Sequence, residues 1–304
     1  MFIGDNAHLG MMFNSSASFL SMSWYATSGS AVTSPDGLSW TQSPDLPVSG
    51  SWRCVAWNGS VFCAISDTNG YVAISSDGIT WTVSSMPSSI VWSAVAWNGS
   101  VFCAVQYGGT SAATSPDGIT WTLQTLPSAL YTSMAWNGSV FCAVATTLGK
   151  AATSPNGITW TQRTMPTHNY WKVAWNGSVF CAVDTSGAFA ATSPDGITWT
   201  QRTMPSSTSS WYGLAWNGSV FCAVSTNGYA ATSPDGITWT QRTMPSSSQW
   251  ISIAWNGSVF CAVTSGNAIS ATSSDGITWT QASTMPSVVS RQFVSAKHLQ
   301  FGTY

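Results

Sequence analysis

The stretch Ser115-Pro116-Asp117-Gly118-Ile119-Thr120-Trp121 occurs seven times in nearly the same form. Successive copies are separated by 39 to 41 residues. A fixed period in this range is typical of solenoids, repeat arrays and propellers, and it outweighs any local pattern. The copies lie at residues 34–40, 75–81, 115–121, 154–160, 193–199, 233–239 and 273–279. Their third residues, six aspartates and one asparagine, are Asp36, Asp77, Asp117, Asn156, Asp195, Asp235 and Asp275.

Each repeat contains four short apolar segments, here called strands A to D. In the third repeat they begin at Trp92, Val101, Ser111 and Ile119. The segments are rich in Val, Phe, Trp and Thr, which favour β-strands. Asn-Gly between A and B predicts a type I′ hairpin turn. Between C and D, the aspartate of the repeated stretch is expected to accept backbone hydrogen bonds, while its glycine takes a positive φ.

These patterns predict an all-β fold in a single domain spanning 1–304. The predicted architecture is a seven-bladed β-propeller of four-stranded antiparallel blades. Segment 287–304 resembles strands A and B of a further repeat. We expect this tail to help close the ring by pairing against an end blade. The alternative is a ring with the extra strands of a partial blade.

The run Ser-x-Asp-Gly-x-Thr-Trp at the C–D turn resembles the Asp-box, or BNR repeat, of sialidase-like β-propellers. The resemblance covers nearly the whole chain and implies the propeller fold. It implies no particular activity, because Asp-boxes are scaffold elements that also occur in non-enzymatic propellers. The chain also resembles proteins of phage tails and fibres, in the near-identity of its repeats and in its hydroxyl-rich, charge-poor composition.

Composition excludes several classes of function. Charged residues make up 6% of the chain and the formal net charge is -2. No basic field is therefore expected to attract nucleic acid or an anionic membrane surface. The beginning of the chain lacks the features of a secretory signal, and no apolar run approaches the length of a membrane helix. We expect no membrane insertion.

Six of the seven cysteines occupy one position of the repeat, within Val-Phe-Cys-Ala-Val, and Cys54 is the exception. We expect these thiols to be buried and free, because equivalent positions in neighbouring blades lie too far apart for a disulfide. Free thiols indicate synthesis in a reducing cytoplasm. The predicted final location is a virion or an extracellular appendage.

Sequence differences between the repeats concentrate in two sets of loops. The B–C and D–A loops vary, whereas the Asn-Gly hairpins and the C–D turns are nearly constant. In an up-and-down meander, B–C and D–A loops share one face of the disc. One-sided variation indicates a face shaped for a partner. Its Tyr, Trp, Ser, Thr, Asn and Gly residues suit adaptable recognition.

Ten residues of this face are candidate ligand contacts. Six of them begin strand A in successive repeats, and they either surround the channel entrance as a stacking platform or fill the core between blades. The remaining four are additional residues of the variable loops. The ten candidates are Trp52, Trp92, Tyr107, Tyr131, His168, Tyr170, Trp171, Trp211, Tyr212 and Trp250.

A catalytic site is not expected. The chain contains no glutamate, and Arg163, Arg202 and Arg242 share one position on the outermost strand, so they cannot converge on the axis. Asp45 and Asp67 form the one plausible carboxylate pair for a glycoside hydrolase. The three histidines show no metal-ligand spacing, and we expect no metal and no cofactor.

The sequence therefore favours a non-enzymatic binding propeller that recognises a glycan or a host surface receptor. The alternative is a structural subunit that docks other components of a tail or virion. A glycoside hydrolase is the third reading.

Overall fold

The computed structural model describes residues 19–23, 31–44, 46–67, 69–205, 209–282, 285–286 and 292–297. These residues contain 26 β-strands and no helix, and so no helix capable of crossing a membrane is present among them. The strands of the first half are β1 (Phe19–Ser23), β2 (Ala31–Ser34), β3 (Thr41–Gln42), β4 (Trp52–Trp57), β5 (Phe62–Ser66), β6 (Tyr71–Ser75), β7 (Thr82–Ser85), β8 (Trp92–Trp97), β9 (Phe102–Ser115), β10 (Thr122–Trp136), β11 (Phe141–Ala145), β12 (Lys150–Ser154) and β13 (Thr161–Thr164). Those of the second half are β14 (Tyr170–Trp175), β15 (Phe180–Asp184), β16 (Phe189–Ser193), β17 (Thr200–Thr203), β18 (Trp211–Trp216), β19 (Phe221–Ser225), β20 (Tyr229–Ser233), β21 (Thr240–Thr243), β22 (Trp250–Trp255), β23 (Phe260–Thr264), β24 (Ser270–Ser273), β25 (Thr280–Gln281) and β26 (Gln292–Ala296).

The described strands form six antiparallel sheets, not seven. Five sheets have four strands, in the orders β26-β1-β2-β3, β4 to β7, β14 to β17, β18 to β21 and β22 to β25. The sixth contains six strands, β8 to β13 in sequence order. Counting each hydrogen-bonded sheet as one blade, the propeller has six blades. The prediction of seven separate four-stranded blades is therefore wrong.

Repeats 3 and 4 share the six-stranded sheet because β9 and β10 continue where the other repeats have loops. Tyr107 pairs with Leu130 and Gly109 pairs with Ala129, so the B–C hairpin of repeat 3 stays paired with the chain that enters repeat 4. The Gln106 side chain folds against Gly109, where a Cβ would overlap it. The sequence predicts separate loops at 106–110 and 128–131. In the structure these two segments pair with each other.

The C-terminal strand β26 completes the first sheet. It pairs with β1 in antiparallel register, with Val294 opposite Ser21. The Val294 amide also donates a 3.1 Å hydrogen bond to Ser252 Oγ in repeat 7. Part of the tail therefore occupies the strand A position of the first sheet. The predicted strand B resemblance, at residues 298–304, lies outside the described residues.

The A–B hairpins differ from the type I′ turns that the sequence predicts. In repeat 3, Gly99 has a φ of +99°, but Asn98 does not adopt a positive φ. Asn98 Oδ1 instead accepts hydrogen bonds from the Ser100 and Val101 amides, at 2.9 and 2.7 Å. The Asn98 side chain thus supplies the acceptor that closes a four-residue loop. This local hydrogen bond stabilises the turn without the second positive-φ residue that a type I′ turn requires.

The Ser-x-Asp-Gly turn between strands C and D forms as predicted. Asp117 Oδ1 accepts from the Ile119 and Thr120 amides, both at 2.8 Å, and Gly118 has a φ of +77°. The indole of Trp121 donates to the Gly118 carbonyl oxygen at 3.0 Å, which ties the first residue after the turn to its glycine. In the fourth repeat Asn156 Oδ1 accepts the two equivalent bonds, at 2.9 and 3.1 Å, so the amide substitutes for the carboxylate.

The core lies between consecutive repeats. In one cluster, Cys181 and Val183 of repeat 5 pack against Trp211 and Phe221 of repeat 6. All seven cysteines are free, and the six repeated ones are fully buried, which confirms the prediction of unpaired thiols acting as small apolar side chains. Burying one tryptophan removes about 150–250 Å² from water, which contributes about 4–6 kcal/mol before entropy is subtracted.

Turn glycines make the closest contacts of this core. A Cβ at Gly236 would lie 2.9 Å from Thr192 Cγ2 and 3.2 Å from Cys181 Sγ, both in the preceding repeat. Gly236 also has a φ of +76°, so both the backbone and the neighbouring repeat require glycine there. Equivalent glycines in most other repeats meet the equivalent cysteine.

Alanine at Gly236 should therefore be more destabilising than alanine at Gly218, which has a φ of +96° and no heavy atom within 4 Å of its Cβ position. Both substitutions carry left-handed strain of about 1–2 kcal/mol. Gly236→Ala adds an overpacking cost of about 1–3 kcal/mol. Denaturant unfolding of both variants measures the difference, and equal losses of stability would contradict the packing account.

The carboxylates of these turns should make the free energy of unfolding depend on pH in the acidic range. Hydrogen bonds from the Thr120 and Ile119 amides hold the pKa of the Asp117 carboxyl below its usual range. Its stabilising contribution is therefore present above the unfolded pKa, about 3.9, and is lost as the pH falls through the folded value. Asp117→Asn keeps the acceptor geometry seen at Asn156 but removes the charge. Urea unfolding at about pH 7, 5 and 3 should show a small loss of stability in the variant that shrinks as the pH falls; a constant difference would refute this account.

Candidate functional site

Strand A of each repeat lines a central channel. Its end near the B–C and D–A loops opens into a cavity of about 390 Å³, here called the loop-side cavity. A second cavity of about 240 Å³, the turn-side cavity, lies towards the Asn-Gly hairpins. Val55, Ser133, Met134 and Lys172 are among the residues that line both, so the cavities meet inside one channel.

A β-bulge near the start of each strand A determines which residues reach the loop-side cavity. In β14, for example, Tyr170 pairs with Asp184 and Lys172 pairs with Val183, so Trp171 is the extra residue. The same register shift occurs in β4, β8, β10, β18 and β22. Bulges commonly re-aim side chains beside functional sites. All six extra residues line the loop-side cavity: Arg53, Ser93, Thr132, Trp171, Tyr212 and Ile251.

The aromatic residues that begin strand A do not form a stacking platform at the channel entrance. All six are fully buried, and each packs in a core cluster formed with the preceding repeat. Their burial agrees with the second of the two expected roles, packing in the core between blades, because the bulge turns the following residue, not the first, towards the channel. They are Trp52, Trp92, Tyr131, Tyr170, Trp211 and Trp250.

Trp171 and Tyr212, two of the other candidates, meet at the channel mouth. Their ring centroids are 5.2 Å apart at an interplanar angle of 66°, an edge-to-face arrangement. Both side chains are partly exposed and both line the loop-side cavity. Tyr107, also partly exposed, lies under the Arg53 guanidinium, whose Cζ is 4.9 Å from the ring centroid. The mouth therefore has the Trp171–Tyr212 pair as its aromatic lining, with Tyr107 beside it under Arg53.

His168 belongs to a separate cluster in the same set of loops. Its ring stacks on Phe189 with centroids 4.0 Å apart, and its Nδ1 lies 3.6 Å from Asp184 Oδ2. Asp184 is fully buried and accepts hydrogen bonds from the Asn169 amide at 3.1 Å and the Ser186 amide at 2.9 Å. Asp184 thus joins the D–A and B–C loops, and His168 packs over this connection.

Charge in the loop-side cavity is positive. Arg53 and Lys172 line it, and no carboxylate of the described residues does. Burial raises the pKa of the Cys54 thiol to about 12, so this thiol is neutral. Burial lowers the pKa of Lys172. Serine, threonine and glutamine side chains supply most of the remaining polar lining.

The three repeated arginines weighed for catalysis do not converge on the channel. The Nε groups of Arg163, Arg202 and Arg242 donate to threonines of the adjacent strand at 2.9, 2.9 and 3.0 Å, away from the channel. Asp45 lies outside the described residues, so the pair with Asp67 has no described geometry. Among the described residues, no three His, Cys, Asp or Glu side chains are grouped to hold a metal ion.

Sequence reasoning found Trp171 and Tyr212 but missed Arg53, Lys172 and the remaining residues of strand A that line the cavity. The strand follows the pattern Trp/Tyr-x-x-Val-Ala-Trp with minor variation, and x-x are its two strongly variable positions. The variation at these two positions was the available signal that they line a site, since a position that packs in the core would keep the same residue type from repeat to repeat.

Comparisons with known proteins agree on a β-propeller. A family model described as the DUF6242 beta propeller domain matches residues 34–169, which hold the first four copies of the repeat. No curated protein matches the sequence. A solved streptogramin B lyase superposes with a TM-score of 0.70 at 7% identity, covering 78% of this chain and 83% of the lyase.

Two further solved structures are similar. Virginiamycin B lyase from Staphylococcus aureus has a TM-score of 0.68 at 9% identity, covering 80% of this chain and 90% of that one. YCF48 bound to D1 peptide has a TM-score of 0.63 at 14% identity, covering 83% and 90%. At these identities the likeness shows the fold alone. The chain is a β-propeller.

Removing the Asp184 carboxylate should loosen the two loops that it joins. In Asp184→Ala the Asn169 and Ser186 amides lose the buried carboxylate that accepts their hydrogen bonds, at a cost of about 1–3 kcal/mol. Hydrogen exchange should accelerate at both amides. Asp195→Ala, on the opposite face of the same repeat, serves as the control and should leave them unchanged. Equal protection in the Asp184 variant and the native chain would show that Asp184 does not hold these loops.

Proposed function

We propose that this β-propeller is a non-enzymatic binding protein that recognises a glycan at the mouth of its loop-side cavity. The observation that carries the proposal is the Trp171–Tyr212 pair, partly exposed at the opening of a 390 Å³ cavity. Sugar rings present apolar C–H faces and hydroxyl edges. Aromatic faces beside hydroxyl and amide side chains, here Ser210, Thr226 and Gln249, suit both surfaces.

One feature of the cavity and one similar structure support binding rather than catalysis. A glycosidase uses two carboxyl groups about 5–10 Å apart, and no described carboxylate lines the cavity. A similar propeller, YCF48, was solved with a D1 peptide, which illustrates that this fold accommodates a binding partner.

The composition and the repeated turn indicate where such a binding protein would act. A hydroxyl-rich, charge-poor chain favours a phage tail or similar surface appendage, and the Ser-x-Asp-Gly turn supports the resemblance to Asp-box propellers. The partner is then a glycan of the host surface.

A structural role in an assembly is the second candidate, favoured by the opposite face. Six of the seven Ser-x-Asp-Gly turns have an isoleucine after the glycine that is 40–50% exposed, which places apolar side chains around most of that face. Exposed apolar side chains that recur at one position of successive repeats are a candidate contact surface for an assembly partner. The six residues are Ile79, Ile119, Ile158, Ile197, Ile237 and Ile277.

A glycan array probed with the native chain, Trp171→Ala and Tyr212→Ala tests the first candidate. We expect binding to at least one glycan and a loss of about tenfold or more in each variant, because a central aromatic contact dominates the binding energy. Ile158→Ala, on the opposite face, is the control and should bind normally.

Other outcomes separate the alternatives. Binding to host cells without binding to any glycan would replace the glycan with a protein receptor. Normal cell binding by both aromatic variants, together with failed assembly of Ile158→Ser, would favour the structural role.

A further inference from the structure

Lys172 is an exception among the residues at its position. The equivalent third residues of strand A in the other repeats are small and uncharged: Cys54, Ala94, Ser133, Gly213 and Ser252. Lys172 lines both cavities, and its side chain lies near Cys54 of repeat 2. Its side chain therefore lies in the channel, in space that the small residues leave open.

The Lys172 charge has no acidic partner in the channel. No described carboxylate lines either cavity, and the nearby Cys54 thiol is neutral because burial raises its pKa to about 12. Arg53 adds a second positive charge at the mouth. A partly buried cation with no carboxylate in the cavity lining destabilises the fold, and burial accordingly lowers the pKa of Lys172. Nothing in the repeated packing requires a lysine here, since five repeats do without one.

Two lining hydroxyls have hydrogens to donate. Ser133 Oγ accepts a hydrogen bond from the Val173 amide at 3.2 Å, and Ser252 Oγ accepts one from the Val294 amide at 3.1 Å. Each hydroxyl acts as an acceptor in the bond that holds it, so its own hydrogen remains for another acceptor. Ser133 lines both cavities, as Lys172 does.

We infer that the channel binds the carboxylate group of a ligand, with the Lys172 ammonium as counter-ion and the Ser133 hydroxyl as a hydrogen-bond donor. A carboxylate supplies the missing negative charge and accepts from both groups. Arg53 at the mouth attracts the anion on its way in. The identity of the ligand as an acidic sugar rests on the proposed glycan function; the carboxylate site itself does not.

Calorimetric titration with D-galacturonate and D-galactose, at low ionic strength, tests the carboxylate preference. The native chain should bind galacturonate about tenfold or more tightly than galactose, because a charge-assisted hydrogen bond is at least that strong. Lys172→Met should abolish the preference. Lys150→Met removes the same charge from the loop face outside the channel and should retain it. A preference that survives Lys172→Met, or that is equally lost in Lys150→Met, overturns the inference.

Acetate separates this inference from the glycan proposal. It has no sugar ring, so it should shift the NMR signal of the Lys172 Cε methylene even in Trp171→Ala, and leave that of Lys150 unchanged. Acetate binding without galactose binding would retain the carboxylate site and reject the glycan. An unshifted Lys172 signal in saturating acetate would reject the site.

Stability checks guard against a misfolded variant. Lys172→Met should unfold at a higher temperature than the native chain, because it removes a partly buried charge that has no carboxylate in the cavity lining. Should Lys172→Met fail to fold, Lys172→Gln provides a neutral, polar replacement for the same titrations, with the same expected loss of preference.

Discussion

The contact between a turn glycine and the cysteine of the preceding repeat is the constraint on which the ring depends. A Cβ at Gly236 would approach Thr192 and Cys181 more closely than side chains normally do, so the sheets pack with no space to spare. The same pair recurs in most repeats. A substitution at one junction would change the angle between two blades, and a closed ring transmits that change to every other blade. Near-identical repeats are the natural consequence.

Strand A reconciles this constraint with a variable site. Its first aromatic residue and its Val-Ala-Trp end belong to the core or the channel wall and hardly change. The bulge between them inserts a residue that the core does not use, and directs it to the channel mouth. Trp171 and Lys172 could therefore arise without disturbing the packing of Tyr170. The packing residues and the candidate site residues therefore lie on the same strand but at different positions along it.

Charge is distributed unevenly between the two faces. The turn aspartates accept backbone hydrogen bonds on the constant face, where they stay ionised and well solvated. Arg53 and Lys172 lie on the axis towards the variable face. Among the described residues of this chain, which has few charged side chains, these two cations are the charged groups that line the loop-side cavity. An anionic ligand entering from the loop side meets attraction from both and repulsion from no described carboxylate of the cavity wall.

Sequence alone determined the features that depend on neighbouring residues. The strands, the Ser-x-Asp-Gly turns with Asn156 as an equivalent of aspartate, and the collection of variable loops on one face all follow from short patterns repeated at a fixed period. Tertiary structure decided the rest, because it depends on pairing between distant residues. Tyr107 and Gly109 pair with the connection at 129–130 and merge two repeats into one sheet, β26 joins β1 to complete the first, and the bulges bury Trp92 while turning Trp171 to the channel. Strand propensity carries no information about such register, so the number of sheets and the lining of the channel emerge only from the folded ring.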